Sequence, residues 1–182
     1  MVRLLIVRHA KTEWNKLGKI QGMSDVPLAE ESRVAAREAA AAFRGYDIAA
    51  VYTSPLVRAR ETAEIITNYE RQIITDSRLL ERNFGTFEGR TYDELGLLDH
   101  SRLFYELDSD VYAEPSAEMF ERARSFVLDM LEFYDGKTVL VVSHGVCISF
   151  LLYAATHDRW DEKSYTLNYI KNLTATIVEV SE

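Results

Sequence analysis

The chain holds a single cysteine, Cys147, among 182 residues. It cannot form an internal disulfide, which accords with a reducing compartment. Apolar stretches are short: none approaches the roughly 18 residues that a membrane-crossing helix needs. The opening run Val2–Val7 is too short for the core of a signal peptide and meets charge at once in Arg8 and Lys11. A cytoplasmic protein without a membrane partner is therefore expected. Basic residues are the scarcer sign, 21 Lys and Arg against 29 Asp and Glu, a net charge of -8. That balance argues against nucleic acid as a partner, because non-specific binding needs a basic surface. An anion would have to be met by a few concentrated arginines working against the overall field. Repeats and low-complexity segments are lacking too.

What is present suits a soluble globular chain, with 47% hydrophobic and 27% charged residues. The length fits one domain over residues 1–182, able to bury roughly 70% of its unfolded surface. Apolar runs alternate with helical patterns. Strands are expected at Val2–Val7, Ile48–Tyr52, Gln72–Thr75, Thr138–Val142 and Ala175–Val180. Helices are expected at Leu28–Phe43, capped by Gly45, from Ser54-Pro55 to about Tyr69, and from Val146 to about Thr156. Thr138–Val142, nearly all branched and apolar between Gly136 and Gly145, has the pattern of a central strand buried on both faces. The alternation predicts an α/β fold, a three-layer αβα sandwich around a mostly parallel sheet. About 90–134 breaks the alternation. Rich in Tyr, Phe and acidic residues, it is expected as a helical insertion or lid over the carboxyl ends of the strands.

Ligands of open parallel sheets bind outside those carboxyl ends. The first strand ends in Arg8-His9, the second runs into Thr53-Ser54-Pro55 with Arg58 one turn on, and the fourth ends in Ser143-His144-Gly145. Parallel strands would gather these residues in one crevice. Two guanidinium forks match the oxygens of a phosphate, and free N–H groups at the start of the helix after Ser54 would favour the same anion. A neutral imidazole can attack phosphorus, and a second histidine, protonated beside the phosphate, can stabilise the transferring oxygens.

These stretches carry a resemblance. Arg8-His9-Ala10-Lys11-Thr12-Glu13-Trp14-Asn15 is similar to the RHGxTxxN signature of the histidine phosphatase superfamily, the phosphoglycerate-mutase-like group. Gln21-Gly22 with Asp25-Val26-Pro27-Leu28, Ser54-Pro55-Leu56-Val57-Arg58-Ala59 with Thr62, Glu81-Arg82-Asn83-Phe84-Gly85 with Glu88-Gly89, and Ser143-His144-Gly145 resemble its further motifs, in its order. The match spans about residues 2–150. It implies a phosphorylated His9, a phosphoryl group held by Arg8, Arg58 and His144, and Glu81 as the acid that protonates the leaving oxygen and then activates water. A carboxylate beside a phosphate dianion holds its proton more strongly, as that role requires. Asn15, Gln21 and Gly22 would add contacts at the pocket mouth. No metal or other cofactor is implied, and the partner is a small phosphate monoester. Ala10 and Ser32 depart from the family pattern, each standing where glycine is usual.

Ordinary structural explanations compete at several positions. A lone histidine after a strand is commonly bonded to backbone, so His9 gains its meaning from Arg8, Arg58 and His144 around it. Glu88 competes with Glu81 for the role of acid. His100 and His157 are expected at the surface and Cys147 in packing. Phe104, Tyr105, Tyr112 and Phe120 could line a pocket but are expected to pack. A metal-independent phosphatase is the expected activity. Its rivals are a phosphoglycerate mutase and a phosphate-binding module without turnover. Against the mutase stand the short chain, the short tail after Val180, and Asn83-Phe84 where the resemblance would call for histidine and tyrosine.

Overall fold

The computed structural model describes residues 1–96, 112–168 and 170–181. Within these, β1 (Val2–Arg8), α1 (Glu13–Lys16), α2 (Glu30–Ala39), β2 (Ile48–Thr53), α3 (Val57–Ile66), β3 (Ile73–Thr75), α4 (Ser116–Phe133), β4 (Thr138–Ser143), α5 (Gly145–Ala154) and β5 (Ala175–Val180) follow in order. The five strands form one sheet in the order β3-β2-β4-β1-β5. All neighbours run parallel except β5, which lies antiparallel to β1.

Alternation along the strands divides the core. Leu4 and Ile6 of β1, with Val139 and Val141 of β4, face α4 and α5. Leu5 and Val7, with Leu140 and Val142, face α2 and α3. Both faces are therefore buried, as the unbroken apolar runs require. Burying each such aliphatic side chain contributes about 1.5–3 kcal/mol. The result is the expected three-layer sandwich.

Register places the functional edge. Arg8 pairs with Ser143, and the His9 N–H donates to the Ser143 carbonyl at 3.0 Å, so His9 and His144 leave adjacent strands at one level. Thr53 pairs with Val142, and the Ser54 N–H donates to the Val142 carbonyl at 3.2 Å, bringing the entry to α3 alongside.

Several boundaries differ from expectation. Leu28 is no part of a helix, since it bridges Thr12 in extended backbone; α2 starts at Glu30 and ends in a 3-10 turn at Ala40–Phe43. Gly45 lacks the left-handed backbone of a capping glycine. Ser54 does not cap α3: its hydroxyl accepts from the Leu56 N–H, and the Asp25 carboxylate accepts from Val57 N–H at 2.7 Å. Asn68 and Tyr69, with φ of 54° and 59°, end that helix earlier than expected.

Of the insertion expected over about 90–134, residues 97–111 lie outside the described residues, Phe104, Tyr105 and His100 among them. Ser116–Phe133 is not a lid: Met119, Phe120, Ala123, Phe126, Val127 and Met130 recur at helical spacing and are buried against the sheet and α5. Phe120 is thus a packing residue, whereas Tyr112 is exposed.

Candidate active site

His9 is buried, and its Nδ1 lies 2.6 Å from the carbonyl of Ala10. A carbonyl only accepts, so Nδ1 carries the proton and Nε2 keeps its lone pair. Burial, then the charges of Arg58 and Arg8, hold its proton affinity well below the usual histidine range. The ring is neutral at neutral pH.

His144 is fully buried, with its ring centroid 5.1 Å from that of His9. Arg58 Nε donates to its Nδ1 at 3.2 Å, which places the remaining proton on Nε2. Among the described residues that buried Nε2–H has no acceptor. Burial comes first among the causes that lower its proton affinity too, followed by Arg58. The neutral ring already presents an N–H, before any phosphate could protonate it.

Arg58 is fully buried. Besides His144, it donates Nη1 to the Ser24 carbonyl at 2.8 Å and Nη2 to the Gly22 carbonyl at 2.7 Å. Burial pulls it down to about 10, with Glu81, Asp25 and Glu88 acting the other way, and it remains a cation at neutral pH. Two of the amides expected to be free at the helix start are taken, Val57 N–H by Asp25 and Leu56 N–H by the Ser54 hydroxyl. Arg8 is half-buried, and its Nη1 donates to the Ile170 carbonyl at 2.6 Å. Gly145 makes room for it, since a Cβ there would stand 3.3 Å from the guanidinium carbon.

Glu81 comes to the same edge from a loop. Its carboxylate accepts from Arg82 N–H at 2.9 Å, Cys147 N–H at 3.0 Å and Val146 N–H at 3.2 Å. Two of these are first-turn amides of α5, whose N-terminus follows His144 directly. Glu81 also borders a cavity of about 400 Å³ with Met23, Asn83, Glu114, Pro115 and Arg122. The Glu88 carboxylate is occupied instead by Met23 N–H and Ser24 N–H at 2.8 and 2.9 Å. It has no bond to the α5 amides. The two carboxylates are thus held by different backbone amides.

The pocket-mouth residues are more structural than expected. Asn15 Oδ1 accepts from Thr12 N–H at 3.1 Å, completing a capping box on α1. Gln21 is buried, and its Oε1 accepts from the Thr12 hydroxyl at 2.7 Å. Gly22 has no room for a side chain, because a Cβ would collide with the Arg82 carbonyl and the Glu88 carboxylate. Ala10 is buried in the core without a positive φ, so its methyl costs no backbone strain. Its N–H donates to Thr62 Oγ1 at 3.0 Å. Cys147 is buried, its thiol pushed up to about 11 by burial, which suits packing.

Sequence reasoning missed Asn172. Its amide donates to the His9 carbonyl at 2.7 Å, and Leu173 N–H donates to the Arg8 carbonyl at 2.9 Å. Both lie far along the chain in a loop without a recognisable pattern.

The sheet and this edge define an α/β protein with paired histidines and arginines at the carboxyl ends of parallel strands. The chain belongs to the histidine phosphatase superfamily (branch 1), whose model matches residues 4–182. It is therefore an enzyme of a family that contains mutases and phosphatases. The probable phosphoglycerate mutase GpmB of Serratia proteamaculans is 33% identical over 158 residues, 84% of this chain and 74% of that protein. Among solved structures, Bacillus stearothermophilus YhfR is 32% identical with a TM-score of 0.85, covering 100% of this chain and 92% of that one. The phosphoserine phosphatase of Entamoeba histolytica, in complex with 3-phosphoglyceric acid, is 31% identical with a TM-score of 0.78, covering 97% and 90%.

Proposed function

We propose that the chain hydrolyses small phosphate monoesters without a metal, through a phosphohistidine on His9. One observation carries this most directly: His9 is neutral, its Nδ1–H is held by the Ala10 carbonyl, and its Nε2 lone pair is left free beside two arginines and a second imidazole. In the first step Nε2 bonds to phosphorus and the ester P–O bond breaks. Nδ1–H stays on the Ala10 carbonyl and shares the positive charge that develops on the ring. Arg8, Arg58 and the His144 Nε2–H hold the phosphoryl oxygens, and the two guanidinium groups supply the positive charge that a metal supplies elsewhere. Glu81 gives its proton to the leaving oxygen, which departs toward the cavity that Glu81 borders. Glu81 then takes a proton from water as its oxygen bonds to phosphorus and the P–N bond breaks, restoring His9 and releasing phosphate. Gln21, Asn15 and Gly22 shape the pocket mouth.

Hydrolysis is favoured over mutase transfer because Asn83 and Phe84 serve the fold. Asn83 Oδ1 accepts from Gly85 N–H at 2.8 Å, and Phe84 is buried against Ile20 and Ala113. The mutase name borne by a relative keeps the second activity open to test. The enzyme should release inorganic phosphate from phosphoserine in the presence of EDTA and without a bisphosphate primer. Strict dependence on 2,3-bisphosphoglycerate, with no net phosphate release, would assign it to the mutases instead.

A further inference from the structure

Glu88 has no place in that chemistry, yet it is half-buried and its carboxylate accepts four hydrogen bonds. Oε1 accepts from Met23 N–H at 2.8 Å and Phe84 N–H at 3.3 Å. Oε2 accepts from Ser24 N–H at 2.9 Å and the Ser24 hydroxyl at 2.5 Å. Met23 N–H and the Gly22 carbonyl belong to one peptide unit, which is planar and trans. Its two polar ends therefore point in opposite directions. One end meets Glu88, and the other receives Arg58 Nη2 at 2.7 Å. Ser24 links the same two side chains through separate groups, its N–H and hydroxyl on Glu88 and its carbonyl, in the next peptide unit, on Arg58 Nη1 at 2.8 Å. The third donor of Arg58 then fixes His144 through Nδ1.

We propose that Glu88 is a positioning residue: through the hydrogen-bonded 22–24 loop it aims the Arg58 guanidinium and, by way of Arg58, the His144 Nε2–H at the phosphoryl group. A carboxylate at one end of a peptide and a guanidinium at the other polarise it in the same sense, which strengthens both bonds. The lack of space at Gly22 belongs to the same device, since any side chain there would force Glu88 and the loop apart. This role presupposes the phosphohistidine chemistry proposed above.

Glu88→Gln keeps the shape but turns one oxygen into an N–H₂ that faces donors. Supporting outcomes hang together. The affinity for inorganic phosphate, measured by calorimetry, falls roughly 10–100-fold, the range typical when a ligand-orienting partner is lost. Single-turnover phosphoenzyme formation falls by the same factor with p-nitrophenyl phosphate and with phosphoserine, because protonation of the leaving group is untouched. Wild-type phosphate affinity would overturn the proposal, even with a lowered Tm, since a merely structural Glu88 predicts that combination. A deficit confined to phosphoserine would also overturn it, by making Glu88 the acid. If Glu88→Gln fails to fold, Glu88→Asp decides on the same two readouts, because the shorter side chain cannot reach both peptides. Absence of phosphoenzyme in the wild type would defeat the proposed function, and phosphate affinity would still judge Glu88.

Discussion

The strand ends and the loop 81–89 both bring charged or titratable side chains to the carboxyl edge of the sheet, but they hold them differently. At the strand ends, register does the positioning. Arg8 pairs with Ser143, so the next residues, His9 and His144, share one level and need only the Ala10 carbonyl and Arg58 to set their tautomers. The loop has no ladder. Glu81 and Glu88 are held instead by backbone amides, Glu81 by α5 and Glu88 by residues 23, 24 and 84. A ladder fixes several side chains with bonds that serve the fold anyway. A loop needs dedicated donors for each carboxylate it places.

Breaking the strand-end half should have the largest effect. His9→Ala removes the proposed nucleophile, and turnover should fall by roughly 10⁴-fold or more with the fold intact by circular dichroism. Turnover of that variant within tenfold of wild type would mean that the edge histidines are structural. Breaking the loop half should be milder and depend on the leaving group. Glu81→Gln should lower phosphoenzyme formation by about 10²–10⁴-fold with an alkyl phosphate and far less with p-nitrophenyl phosphate, which leaves without a proton. Equal losses on both substrates would remove Glu81 from the acid role.

The two halves should also separate in their response to pH. Both histidines hold protons less readily in the folded protein than the unfolded value of about 6.5. Below that pH the unfolded chain binds more protons than the folded one, so stability is full above it and falls as the pH drops. Each histidine contributes up to about 1.4 kcal/mol per pH unit. Chemical denaturation between pH 7 and 5 should show this slope, and His144→Asn should flatten it by about half; an unchanged slope would mean that the rings are not the titrating groups. The smallest effect belongs to Gly22→Ala. Crowding against Arg82 and Glu88 should cost about 1–3 kcal/mol, read as a lowered Tm. A neutral result would show that the loop yields easily and would weaken the link from Glu88 to Arg58.

The same contrast decides what the sequence reveals. Strand cores such as Thr138–Val142 declare themselves through branched apolar runs, and the residues that end them follow from topology. His9, Arg8, Arg58 and His144 could therefore be placed together before any coordinates. Contacts across the chain leave no local pattern. Ser54 looks like a cap, but the carboxylate that meets α3 comes from Asp25. Asn172 holds the His9 carbonyl across a separation of 163 residues. The face of α4 is readable at helical spacing, yet its Phe and acidic residues fit the expected lid; the burial of Met119, Phe126 and Met130 shows a layer helix.

Covalent chemistry at His9 can be trapped directly. Wild-type enzyme mixed with a ³²P-labelled phosphate monoester in EDTA should be quenched in alkali within the first turnover, then digested and mapped. An acid-labile, alkali-stable label is expected on the peptide carrying His9, absent from His9→Ala. Rapid hydrolysis with no labelled peptide, or a label that persists in His9→Ala, would contradict covalent chemistry at His9.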